Sequence, residues 1–102
     1  MIVELTEVLR ASKYTSEGTL KNPYILKQIY INPQHVVCLR EDEVYNRLLL
    51  EGRLMENMDK NQSFTKIYLN RGQAGIDLTV VGSPSSIQEK LGLTSEKQLL
   101  RG

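Results

Sequence analysis

One histidine, one cysteine and a run of three acids are the residues of this chain with the most obvious capacity for chemistry. His35 opens the run HVVCLR after Asn32-Pro33. A lone imidazole becomes a general base only when the fold brings it a nucleophile or a proton donor. Nothing in the spacing does so, and His35 reads as an ordinary hydrogen-bonded or surface residue. Cys38 lies between Val37 and Leu39 and reads as a buried thiol, because a reactive thiolate needs a positive neighbour. With one cysteine and one histidine, an intrachain disulfide, a cysteine-cluster zinc site and an HExxH site are excluded. Glu41, Asp42 and Glu43 do not have calcium-loop spacing; acids there suit the start of a helix. Gly72 and Gly75 follow a strand but lack the Lys-Ser/Thr pair of a phosphate loop and the βαβ setting of a dinucleotide fingerprint. The sequence implies no metal, no cofactor and no catalytic residues.

The residues better suited to binding are cationic and aromatic. Arg71 stands beside Gly72 and Gln73 at an expected hairpin tip, where a guanidinium fork can hold a carboxylate or phosphate. Arg40, Lys66 and Tyr68 extend that set into a candidate site for an anionic or nucleotide-like metabolite at a subunit interface. Phe64, Lys66 and Tyr68 share one strand face, the aromatic-basic mixture that a single-stranded nucleic-acid platform uses. A face covered by a helix would carry the same residues.

Period-two alternation predicts strands at 2–9, 25–31, 35–40, 64–70 and 74–81. The polar stretch 11–24 reads as a long loop, and 10–28 as an addition to the core. Asn32-Pro33 supplies a turn. In 35–40 both faces are apolar, which predicts a central strand or one wrapped into a barrel. Segments 64–70 and 74–81 form a hairpin about Gly72, with Ile76, Leu78 and Val80 inward and Asp77 and Thr79 outward. Between 41 and 58 the period changes to a helix, with an apolar arc too wide for a one-sided surface helix; Gly52 inside it marks a break or a close contact. Ser83 caps a second helix with Pro84 at its first position, Ile87 and Leu91 on one face and Gly92 at its end. Thr94 or Ser95 can cap one more turn in a flexible tail, 93–102.

The expected fold is α+β: one small domain over 1–102, with an antiparallel sheet or barrel-like core, an inserted central helix and a short C-terminal helix. The wide apolar arc predicts a homodimer or higher oligomer, through Leu48, Leu49, Leu50, Leu54 and Met58.

Charge narrows the partners. Thirteen Lys/Arg face twelve Asp/Glu, for a formal net charge of +1. The first 51 residues carry six bases and seven acids, and the last 51 carry seven and five. Nucleic acid is therefore disfavoured as a partner, as is a polybasic membrane anchor. No run of 18 apolar residues is present, and acids at Glu4 and Glu7 interrupt any signal-peptide pattern. A cytoplasmic location is expected.

Three stretches carry a resemblance. Tyr30–Leu39 reads YIN-P-x-x-V-V-x-L, Thr65–Gly72 reads T-K-I-x-L-x-x-G, and Thr79–Leu91 reads T-V-V-x-S-P-x-x-I-x-E-K-L, after a start Met1-Ile2-x-x-Leu5-Thr6. In this order they resemble the small flagellar FlbD/SwrD-like proteins, over less than half of the chain. The resemblance implies a small cytoplasmic, non-enzymatic β-domain closed by a C-terminal helix and linked to motility. It carries Asn32, Pro33, Gly72, Ser83 and Pro84 over as turn and cap residues, and no catalytic residue. The chain departs from the family by the 10–28 and 41–63 additions and by Val81-Gly82 before the Ser-Pro. The expected function is a non-catalytic regulatory or adaptor protein that binds a protein partner.

Overall fold

A computed structural model describes residues 2–10, 14–15, 18–19, 24–54, 58–72 and 74–93. In chain order the elements are β1 (Val3–Arg10), β2 (Tyr14–Thr15), β3 (Gly18–Thr19), β4 (Tyr24–Ile31), a 3₁₀ turn (Pro33–His35), β5 (Val36–Glu41), α1 (Glu43–Leu50), β6 (Phe64–Arg71), β7 (Ala74–Val81) and α2 (Pro84–Lys90). Five strands make one sheet in the order β4-β1-β7-β6-β5, every neighbouring pair antiparallel; β2 and β3 pair separately. The architecture is α+β, with α1 inserted between β5 and β6 and α2 at the C-terminal end.

The outer strands β4 and β5 are joined by only Asn32–His35. A flat five-stranded sheet would hold its outer strands about 19 Å apart, four spacings of about 4.8 Å, and a 3₁₀ turn rises only about 2 Å per residue. The sheet must therefore curl. It stays open, since β4 and β5 do not pair with each other. The Asn32 side chain accepts from the Gln34 N–H at 3.0 Å and Pro33 occupies the first turn position, fixing this short link.

All five strands contribute to the concave face. Leu5, Ile31, Ile67, Leu69, Leu78 and Val80 are buried there beneath Ile87 and Leu91 of α2, with Val36 and Leu39 packed at the margin. The Ser83 hydroxyl caps α2 by accepting from the Ser86 N–H at 3.2 Å, and Pro84 follows at the first position. A second, smaller core lies on the opposite face, where Val8 and Phe64 meet Leu49 and Leu54.

Several expectations change. The ends of the segment 10–28 belong to strands: Arg10 ends β1, Tyr24 begins β4, and 24–28 pair with 6–10, while 11–13, 16–17 and 20–23 lie outside the described residues. Within 11–24, Tyr14 pairs with Thr19 and Thr15 with Gly18. The hydrophobic period over 41–58 outlasts the helix, which stops at Leu50. Gly52 takes φ 73°, its N–H reaches the Leu49 carbonyl and the Arg53 N–H reaches the Leu48 carbonyl, the Schellman arrangement that closes a helix C-terminus. Leu54 then folds back into the second core. Met55 and the 94–102 part of the tail lie outside the described residues.

β5 is an edge strand rather than a central or wrapped one. Its register shifts between Val36 and Cys38, a bulge that breaks the alternation. Val36 and Leu39 thereby both pack toward the concave core, while Val37 and Cys38 are exposed. The hairpin stands as expected, with Gly72 at φ 74° at its tip. Ile76, expected inward, is exposed because it lies beyond the end of the core, and Thr79, expected outward, is buried because its face meets α1.

Candidate functional site

The ends of α1 and β6 are locked by side chains that the sequence places far apart. Asp42 caps α1: its Oδ1 accepts from the Tyr45 N–H at 3.2 Å, and its Oδ2 accepts from the buried Thr79 hydroxyl at 2.7 Å. Its own N–H donates to the Phe64 carbonyl at 2.9 Å. Asn46, one turn along, accepts from the Phe64 N–H at 3.1 Å and donates to Glu41 Oε2 at 2.7 Å. The acids at 41–43 are thus occupied by a helix start. Among the described residues no group of three or more His, Cys, Asp or Glu side chains is placed to hold a metal ion. Tyr45 packs edge-on against Tyr24, with ring centroids 5.8 Å apart. Burial, then Tyr24 and Asp42, raise its phenol above the ordinary value, with Arg10 partly opposing them.

This scaffold brings three of the four candidate ligand residues together on the convex face. Arg40 and Lys66 are direct partners across β5 and β6. The Arg40 guanidinium lies over the Tyr68 ring, 5.7 Å from its centroid. With Glu41, Glu43 and Val44 they line a groove of about 550 Å³. Two cations directly opposed on neighbouring strands repel; the aromatic face beneath Arg40 offsets part of that. The backbone of Arg71 lies farther along the strand. It pairs with Ala74 at the hairpin end, five residues along β6 and so about 17 Å from Lys66. Phe64 is absent from the exposed set, being fully buried under α1.

The five residues expected at an oligomer interface separate. Leu49 and Leu54 are buried inside the chain's own second core, Leu48 and Met58 are half-buried against it, and Leu50 is 64 % exposed. His35 is exposed at the end of the 3₁₀ turn.

A second groove, of about 340 Å³, was not foreseen. It opens between the end of β4, the 3₁₀ turn and the β6–β7 hairpin, and Ile2, Tyr30, Ile31, His35, Leu69 and Ile76 line much of it. Among the described residues no Asp, Glu, Lys or Arg lines it, whereas the convex groove carries five such residues. Ile2, Tyr30 and Ile76 at its rim are 59 %, 63 % and 51 % exposed. The signal available in sequence was weak, since each of these residues sits in a strand pattern that a buried face would also explain.

No family model, curated protein or solved structure matches the chain. No helix among the described residues is long and apolar enough to cross a membrane.

Proposed function

We propose that this protein is a non-catalytic regulatory or adaptor domain that works by binding a protein partner, as a small oligomer in the cytoplasm. The observation that carries the reading is the groove rimmed by the exposed Ile2, Tyr30 and Ile76. Large exposed apolar side chains gathered around one concavity mark an interaction surface more than a solvated one. The apolar rim favours a partner that inserts apolar side chains. The resemblance to the motility-linked FlbD/SwrD-like proteins points the same way, toward a small domain that acts by contact. A single cysteine and balanced charge fit a reducing compartment.

Site-specific photo-crosslinking in the source cells tests this reading. A photoreactive residue at Ile76 or Ile2 should capture one and the same identifiable protein, and a residue at exposed Glu89 on α2 should not. The purified partner should then lose at least about tenfold in affinity when Ile76 becomes Asp, the loss expected of an anchor forced to bury a charge. Uniform crosslinking at all three positions, or unchanged affinity for I76D, overturns it.

A second reading is favoured by the Arg40–Lys66–Tyr68 groove: an anionic metabolite could relieve the repulsion between the opposed cations. Binding of inorganic phosphate or a nucleotide that is lost in Arg40→Ala and Lys66→Ala, and kept in Arg71→Ala, would support it. Single-stranded nucleic acid ranks below both, because a net charge of +1 supplies little of the phosphate attraction such binding needs.

A further inference from the structure

The two edges of the sheet are built differently. β5 carries a bulge at Val37 and the charges Arg40 and Glu41, devices that keep an edge from pairing with another strand. β4 is less guarded and has no bulge. It pairs with β1 through eight consecutive residues without a register break, contains no proline and carries one charge, Lys27. No strand among the described residues covers its outer edge. Ile25, Leu26 and Tyr30 along it are 39 %, 43 % and 63 % exposed. An edge that is regular, largely apolar and guarded by a single charge is a template for strand addition.

The occupant is indicated by the strand's own sequence, in which large apolar residues stand at matching distances on both sides of Gln28, Lys27 excepted. One residue out stand Lys27 and Ile29, two out Leu26 and Tyr30, three out Ile25 and Ile31. We propose that β4 pairs antiparallel with β4 of a second copy across a two-fold axis at Gln28, joining two five-stranded sheets into one. The proposal supplies the oligomer within the function proposed above and rests on that part of it.

Symmetry restricts the register. A two-fold axis between antiparallel strands sets one residue opposite its own copy, so the alternatives are few. With Gln28 on the axis, Leu26 meets the second copy's Tyr30 on the convex side and Ile25 meets its Ile31 on the concave side. Lys27 then lies beside Ile29, where its alkyl stem can cover apolar surface; within its own chain it is already the partner of Glu7. Shifting the axis to Lys27 sets two ammonium groups directly opposite, which is destabilising, and sets Leu26 against Gln28. Moving it to Leu26 or Ile29 shortens the overlap. The spacing of these residues thus selects one register over its neighbours.

Cysteine crosslinking of the full chain tests this, with Cys38→Ser as background because the native thiol is exposed. Residues directly opposed in an antiparallel pair have Cα atoms about 4.5–5.5 Å apart, within disulfide range. Gln28→Cys should oxidise rapidly to a symmetric dimer, and Lys27→Cys and Ile29→Cys should not. Sedimentation from about 1 µM to about 1 mM, a range suited to a small interface, should show a dimer that Leu26→Lys weakens at least tenfold and Val37→Lys on the opposite edge leaves unchanged. A chain that stays monomeric throughout, or that crosslinks faster through position 27 or 29 than through 28, overturns the proposal. A monomer whose Ile76 still captures its partner removes the self-pairing and keeps the adaptor function. A Gln28-linked dimer with uniform crosslinking does the reverse.

Discussion

The Thr79 hydroxyl donates a 2.7 Å hydrogen bond to Asp42 Oδ2, joining residues 37 positions apart inside the protein. The bond ties the first turn of α1 to the middle of the sheet. It also holds the carboxylate that caps the helix, so one side chain serves both the helix and its docking.

Removing the donor should cost more than removing the charge. Thr79→Val leaves a buried carboxylate oxygen without its partner and should destabilise by about 1.5–3 kcal/mol, the range for hydrogen bonds to charged groups. Asp42→Asn keeps an oxygen for the Tyr45 N–H and an amide that the Thr79 oxygen can accept from, and should cost under about 1 kcal/mol. Urea melts of the two variants check this; equal losses would show that charge, not partnering, is what Asp42 supplies.

Gly82 and Gly72 should respond differently to alanine. Both hold positive φ, 127° and 74°, but a Cβ on Gly82 would stand 2.9 Å from Ile87 Cδ1, while one on Gly72 would meet nothing within 4 Å. Gly72→Ala should cost about 1–2 kcal/mol for its left-handed backbone alone. Gly82→Ala adds a clash with a fully buried core residue and should cost about 1–2 kcal/mol more. Thermal melts measure the gap, each 1 kcal/mol being worth about 4–8 °C in a domain of this size.

Glu7 gives the stability a pH dependence. It sits half-buried on the concave side of β1, and burial raises its carboxyl above the ordinary value of 4.5. The folded chain therefore holds this proton more tightly than the unfolded chain does. The cost of the charged form is present in full above the folded-state titration and is lost as the pH falls through it toward 4.5. Glu7→Gln should be more stable than the native chain at about pH 7, with the difference closing by about pH 4. A difference that persists at low pH would assign the effect to packing.

Cys38 should label freely. It is exposed on β5, so a thiol reagent should reach it in the folded protein at a rate within a few-fold of that in the urea-unfolded chain, access being the main control. Protection by orders of magnitude would contradict the bulge that turns it outward.

Local chemistry accounts for what the sequence determined. The Asn32-Pro33 turn, the acidic helix start at 41–43, the Ser83 cap, the Gly72 hairpin, the Ile87/Leu91 stripe of α2 and the α+β class all follow from interactions within a few residues, and period and residue type record these directly. Tertiary structure decided the rest. Whether β5 is central or at an edge depends on which strands neighbour it, and a one-residue bulge sent Cys38 outward. The apolar arc of 41–58 recorded burial but not shape: Leu49 is buried from a helix and Leu54 from the chain after it, and a hydrophobic pattern cannot distinguish the two. Thr79 became internal only when α1 covered the sheet's second face. Arg40, Lys66 and Tyr68 could be named from sequence, but their meeting required the register of β5 on β6. The groove rimmed by Ile2, Tyr30 and Ile76 lies where the four-residue link between β4 and β5 meets the β6–β7 hairpin, so residues as far apart in sequence as Ile2 and Ile76 share one rim.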